Sequence, residues 1–156
     1  MISIELKYPI FTYGKKEKMI YVFYRRKDSH TTNAKIIKKA GYPGSTIIDS
    51  TGMKYVIKRA QKAKWRGFYG YFTGMQGRVF EVEFEYEDES VHITLDELKA
   101  IILDRYPKSY WFRSAWSSKK EFDEEMSKCM TFEEVARVVG EPPQSIFFLR
   151  IIRGYF

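Results

Sequence analysis

The run Val79–Glu87, Val-Phe-Glu-Val-Glu-Phe-Glu-Tyr-Glu, leaves this chain little freedom. Phe80, Val82, Phe84 and Tyr86 alternate with Glu81, Glu83, Glu85 and Glu87. Successive side chains of a strand point to opposite faces, so the pattern predicts a strand with one apolar face and one face of carboxylates. Carboxylates on that face lie roughly 7 Å apart and repel one another, and a cationic neighbour would relieve the repulsion. Met53–Ala63 also reads as a strand and offers one, with Lys54, Lys58 and Lys62 at even spacing around Val56 and Ala60. The expectation is one antiparallel sheet holding both strands. Phe80, Val82, Phe84 and Tyr86 face inward, with at least one Lys–Glu contact between the strands or through one lying between them.

The rest of the first half supports a sheet. Ile2–Tyr8 alternates Ile2, Ile4 and Leu6 with polar residues and is closed by Pro9, which predicts a first strand. Met19–Tyr24 is a continuous apolar run, expected to be a strand buried on both faces. Thr31 or Thr32 is placed to cap a short helix running to Ala40, with Gly41 ending it. Thr46–Ile48 begins a strand, and Asp49-Ser50-Thr51-Gly52 is a hairpin loop leading into Met53. Phe68–Thr73 is a short aromatic strand, and Val91–Ile93 a short pairing strand after the turn Glu87–Ser90.

From Thr94 onward the pattern becomes helical. Thr94–Glu97, Ser118–Glu121 and Thr131–Glu134 each have the Ser/Thr-x-x-Glu form of a capping box. They open segments whose apolar residues recur at helical spacing: Leu95, Leu98, Ile101 and Ile102; Phe122, Met126 and Cys129; Phe132, Val135, Val138 and Val139. Ile146–Ile152 reads as a final strand or a short helix. The fold class is therefore α+β: a curved antiparallel sheet or partly open barrel of six to eight strands, one early helix and two to three late helices. At 156 residues, without repeats or linkers, a single domain over 1–156 is expected.

No apolar run is long enough to span a membrane, and the alternating N-terminus lacks the apolar core of a signal peptide. A lone cysteine, Cys129, rules out an internal disulfide framework. Together these point to the cytoplasm. The net charge of +7 is divided unevenly: residues 1–78 carry 17 Lys/Arg against 4 Asp/Glu, and residues 79–156 carry 10 against 16. Either the halves neutralise each other on packing, or the basic half offers a surface to an anionic partner.

Catalytic and metal signatures are weak. His30 and His92 have no partner that sequence alone can assign, and Cys129 sits at a core spacing. Four Glu on one strand face do not converge as metal ligands must. Gly67, Gly70, Gly74 and Gly77 lack the Gly-Lys-Ser/Thr of a phosphate loop. The expectation is no enzyme, no cofactor and no metal. Two stretches stand out as binding candidates. Lys58, Arg59, Lys62, Lys64 and Arg66 lie among Trp65, Phe68, Tyr69, Tyr71 and Phe72. Residues 58–72 thus combine cations for phosphates with rings for bases, as single-stranded nucleic acid requires, or they simply balance the Glu strand and fill the core. Tyr110-Trp111-Phe112-Arg113-Ser114-Ala115-Trp116 is rich in the types that dominate protein interfaces, Tyr110, Trp111, Arg113 and Trp116 among them. It is either a core plug or a contact surface.

The run Ile48-Asp49-Ser50-Thr51-Gly52-Met53-Lys54-Tyr55-Val56 resembles a pattern in small bacterial proteins encoded beside toxins. Gly77-Arg78 with the strand after it, the helix start at Thr94, and Tyr110-Trp111-Phe112 before a Ser-rich helix entry are similar too. The likeness is to the immunity-type proteins of polymorphic toxin and contact-dependent inhibition systems, over residues 8–140. It implies a non-enzymatic protein that neutralises a cognate toxin by direct binding, and it carries over no functional residue. A small nucleic-acid-binding protein using residues 58–72 is the alternative.

Overall fold

A computed structural model describes residues 4–16, 18–29, 31–33, 42–65 and 79–140, with residues 27–28, 31–33, 62–65 and 79–81 described by their backbone alone. Among the described residues, seven strands form an open antiparallel sheet: β1 (Ile10–Tyr13), β2 (Tyr21–Phe23), β3 (Thr31–Asn33), β4 (Thr46–Ile48), β5 (Met53–Trp65), β6 (Val79–Tyr86) and β7 (Val91–His92). The spatial order is β2-β1-β4-β5-β6-β3, with β7 also paired to β5. One turn of helix, α1 (Arg26–Ser29), precedes β3. Among the described residues four later helices follow the sheet: α2 (Leu95–Arg105), α3 (Phe112–Ala115), α4 (Lys119–Lys128) and α5 (Phe132–Gly140), with a 3-10 turn at Tyr106–Lys108. The class is α+β, as the alternation and the capping signals predict.

β5 is the longest strand, and its pairing with β6 is irregular in an informative way. Ile57 opposes Tyr86, but the next pair is Arg59 with Glu85. Two residues, Lys58 and Arg59, therefore face one, which is a β-bulge. A second shift falls between Lys62 and Lys64. The bulges change the phase of the strand, so an even row of Lys54, Lys58 and Lys62 does not form: the register sets Lys62 opposite Val82 and Lys64 opposite Glu81. Val82 is buried, Phe84 and Tyr86 are half-buried in a core cluster, and Glu83 is exposed, which matches the predicted facing. The side chains of Phe80 and Glu81 lie outside the described residues.

β7 is the short pairing strand expected at Val91–Ile93, and its partner is β5. Both β6 and β7 run antiparallel to β5 along the same edge, with Tyr86 opposite Ile57, Glu87 N–H donating to Val56 O at 2.9 Å, and Val91 opposite Lys54. Asp88, Glu89 and Ser90 are thus an outward excursion in one interrupted strand. Their charge and exposure suit that position.

The N-terminal expectations are corrected in three places. Residues 4–7 are not a strand; the strand begins at Ile10, after Pro9, where a missing N–H does no harm. Leu6 still packs into the core, while Lys7 O accepts from Ser50 N at 2.9 Å. β2 is an edge strand with Tyr21 exposed, so it is not buried on both faces. Thr31 and Thr32 belong to β3, paired with Phe80 and Glu81, and do not cap a helix. β-branched residues suit a ladder when a partner strand is present. The proposed helix body, residues 34–41, lies outside the described residues, as do Phe68–Thr73 and Ile146–Ile152.

Hydrophobic burial occurs on both faces of the central strands. Phe11, Tyr13 and Ile48 meet the helical layer through Leu98, Ile102, Phe122, Val135 and Val139. Ile10, Ile47 and Ile57 form a second cluster with Leu6, bordered by Tyr42, Tyr55, Phe84 and Tyr86. Paired apolar residues such as Ile10-Phe11 and Ile47-Ile48 are what a strand covered on both faces needs. Arg105, in the last turn of α2, stacks 4.3 Å from the Tyr13 ring and ties the helices to β1.

The helices start as their caps predict. Thr94 Oγ1 accepts from Glu97 N at 3.2 Å while Glu97 Oε2 accepts from Thr94 N at 2.9 Å, a complete capping box. Ser118 and Thr131 each accept from the third residue on. Their glutamates reach one residue further out, Glu121 to the Ser117 hydroxyl and Glu134 to Met130 N.

Candidate functional site

The aromatic segment resolves into two faces. Ser109 N–H and Oγ both donate to Tyr106 O, at 3.0 and 2.7 Å, which closes the turn after Pro107. Trp111 O then accepts from Ala115 N at 3.2 Å and from Ser114 Oγ at 3.0 Å, and Phe112 O accepts from Trp116 N at 2.9 Å. One helical turn is enough to separate residues three and four apart from those between them. Phe112, Ala115 and Trp116 turn inward, and Trp116 is only 3% exposed. Tyr110 and Trp111 turn outward, at 88% and 38% exposed, with Arg113 exposed beside them.

Phe122 of α4 anchors the inward face. Its ring lies 5.4 Å from Tyr106, 5.3 Å from Phe112 and 5.2 Å from Trp116, and Tyr106 and Phe112 are 5.5 Å apart. Such tilted and edge-on aromatic pairs contribute about 0.5–1.5 kcal/mol each beyond the area they bury. The seven residues therefore have a buried side, which is a core plug, and an exposed side. Trp116 belongs to the plug and is not available to a partner; Tyr110, Trp111 and Arg113 are.

Tyr110 and Trp111 also touch each other, with ring centroids 5.6 Å apart and planes at 85°. The two exposed rings form a small aromatic knob. Arg113 makes no ion pair among the described residues, whereas Lys108 pairs with Asp104 at 3.3 Å and Lys119 with Asp123 at 3.1 Å.

The basic-aromatic stretch looks different in the structure. Arg59 donates from Nε and Nη2 to Glu85 Oε2, at 3.1 and 2.8 Å, and Lys58 Nζ lies 3.6 Å from Glu85 Oε1. The bulge is the cause: it brings two cations over one carboxylate. The Lys–Glu contact expected between these strands is present. The side chains of Lys62, Lys64 and Trp65, and all of Arg66 and residues 67–72, lie outside the described residues. The two described cations of the stretch are thus already occupied by an anion. Glu85→Gln should cost about 1 kcal/mol of stability or less, since the cations are more than half exposed. A double-mutant cycle with Arg59→Ala in denaturant melts measures the coupling, which should shrink as salt is raised; a coupling indifferent to salt contradicts the ion-pair account.

Other reactive groups have structural partners. His92 Nε2 lies 2.9 Å from Thr51 O, at the hairpin loop. Asp49 is buried; its Oδ1 accepts from Thr51 N, Thr51 Oγ1 and Met53 N at 2.9, 2.6 and 3.1 Å. That is the local bonding an Asp offers a turn. Cys129 is buried, its thiol donating to Glu125 O at 3.4 Å, and burial pushes its pKa up, with Lys99 opposing. A thiol held neutral is a poor nucleophile. His30 lies outside the described residues. Among the described residues no helix is long and apolar enough to cross a membrane.

No family model, curated protein or solved structure matches this chain. Sequence reasoning named Tyr110, Trp111 and Arg113 but passed over Lys120, which is exposed at the start of α4. The signal for it is a gap: no Asp or Glu occurs from Arg105 to Lys120, in a half of the chain that is otherwise acidic.

Proposed function

We propose that this protein is a non-enzymatic binder of one protein partner, and that it acts as an immunity-type protein neutralising a cognate bacterial toxin in the cytoplasm. The observation that carries the binding reading is the Tyr110–Trp111–Arg113 knob. Its rings are solvent-facing, yet its backbone is pinned by hydrogen bonds and by the Phe122 aromatic cluster. Trp, Tyr and Arg are the residues that most often carry interface affinity. An anchor already held in place loses little conformational freedom on binding, so more of its contact energy appears as affinity. The resemblance to toxin-linked immunity proteins supplies the class of partner.

The nucleic-acid alternative is less well supported. Lys58 and Arg59, the two described cations of the 58–72 stretch, are engaged by Glu85. The test is co-expression and co-purification with the product of the neighbouring gene. Capture of that protein, with relief of its toxicity, supports the proposal. Absence of capture, together with oligonucleotide binding that weakens steeply with salt, replaces it with the alternative.

A further inference from the structure

We infer that the partner surface seated on the Tyr110–Trp111–Arg113 knob is acidic, an apolar side chain against Trp111 flanked by Asp or Glu carboxylates that reach Arg113. The inference rests on the protein-binding reading above and adds the chemistry of the partner. Residues 105–120 hold five cations, Arg105, Lys108, Arg113, Lys119 and Lys120, and no carboxylate. The rest of the second half reverses this, with 16 Asp/Glu among the remaining residues of 79–156. Arg105 is turned onto the Tyr13 ring, Lys108 is matched by Asp104, and Lys119 is matched by Asp123. Arg113 and Lys120 are left without an ion pair among the described residues, on either side of the buried Trp116.

The acidic surroundings sharpen the choice. Exposed carboxylates lie on both sides of the segment in sequence: Asp96, Glu97 and Asp104 on α2, Glu124 on α4, and Glu133 on α5. An acidic partner surface is repelled by these and attracted by the carboxylate-free segment, which favours the segment over its neighbours in the helical half. A basic partner surface meets the opposite: attraction to those carboxylates and repulsion at Arg113. The guanidinium also offers a planar fork that suits carboxylate geometry. The rings then supply contact area, and the cations supply orientation and encounter rate.

The test uses the full chain and a displayed library of short random peptides, selected separately on wild type, Trp111→Ala, and the double variant Arg113→Glu/Lys120→Glu. A short poly-thymidine oligonucleotide is titrated in parallel. All three proteins are first checked for an unchanged melting temperature, which is expected because the altered side chains are exposed or partly exposed. Expected is enrichment on wild type of peptides combining Asp or Glu with an aromatic or aliphatic residue, about tenfold weaker on Trp111→Ala. On the double charge reversal the same peptides should be lost and Lys/Arg-bearing ones recovered. Enrichment of neutral or basic peptides that still depends on Trp111 overturns the acidic partner but leaves protein binding standing. Peptides insensitive to all the substitutions, or no enrichment, overturn both. Oligonucleotide binding that Trp111→Ala abolishes also overturns both, in favour of nucleic acid.

Discussion

Trp116→Ala should lower the unfolding free energy by about 3–5 kcal/mol, while Trp111→Ala should change it by less than about 1 kcal/mol. The two residues are of one type and stand five positions apart, so the contrast isolates environment. Trp116 is almost wholly buried against Phe122, in a cluster that also holds Tyr106 and Phe112. Removing its indole leaves a cavity that these rings can only partly fill. Its Nε1 has no hydrogen-bond partner among the described residues, so the cost is one of packing. Trp111 is more than a third exposed and rests edge-on against Tyr110, which is itself almost fully exposed. Chemical denaturation of the two variants reads the difference directly. Equal losses would mean that the segment is wholly core, and the proposed contact surface would disappear with them.

Gly52→Ala is the second large effect, expected at about 3–5 kcal/mol, with Gly44→Ala as its control at roughly 1 kcal/mol. Both glycines hold a left-handed backbone, with φ of +88° and +86°. Any L side chain there incurs about 1–2 kcal/mol. What differs is the space around each. A Cβ on Gly52 stands 2.5 Å from the Ile93 carbonyl oxygen and 3.2 Å from both His92 Nε2 and the Phe132 ring. The Ile93 carbonyl is backbone, and Ile93 N also donates to Gly52 O at 2.8 Å, so neither side can yield without breaking the join between the hairpin loop and the start of α2. Among the described residues a Cβ on Gly44 meets only the flexible Lys15 side chain, at 3.6 Å. Thermal or denaturant melts should therefore separate the two variants by about 2 kcal/mol or more. Matching values would show that backbone conformation alone sets the cost and that the close approach to Ile93 is relieved elsewhere.

What could be read from the sequence was local. The Val79–Glu87 alternation and the Asp49–Gly52 loop report on residues within one or two positions of each other, and the structure agrees with both. The three Ser/Thr-x-x-Glu signals also lie within one turn, and each places its cap. What was not legible depends on pairing partners. The bulge at Lys58 exists because β5 must keep Ile57 opposite Tyr86 and Arg59 opposite Glu85, and nothing in Lys-Arg-Ala-Gln announces it. The Thr31–Asn33 strand is stabilised by β6, nearly fifty residues away in sequence, and the capping preference of Thr pointed the other way. Val91–His92 was legible as a short pairing strand, but its alignment with β6 along one edge of β5 is a property of the sheet.

The candidate site was half legible for the same reason. Composition marked Tyr110–Trp116 as unusual, but a single helical turn is too short to display a period, so the division into knob and plug needed coordinates. The basic stretch at 58–72 showed its charges but not the carboxylate that answers two of them.

The most direct measurement of the central claim is the affinity of the neighbouring gene's product, by calorimetry, for wild type, Trp111→Ala and Arg59→Ala. A hot-spot anchor should lose about 2 kcal/mol or more on truncation, roughly a thirtyfold weaker dissociation constant for Trp111→Ala at unchanged melting temperature. Arg59→Ala should bind within about threefold of wild type, because its guanidinium is already held by Glu85. A Trp111→Ala protein that binds as wild type does, with the affinity lost instead in Arg59→Ala, contradicts the account and moves the binding surface to the charged face of β5.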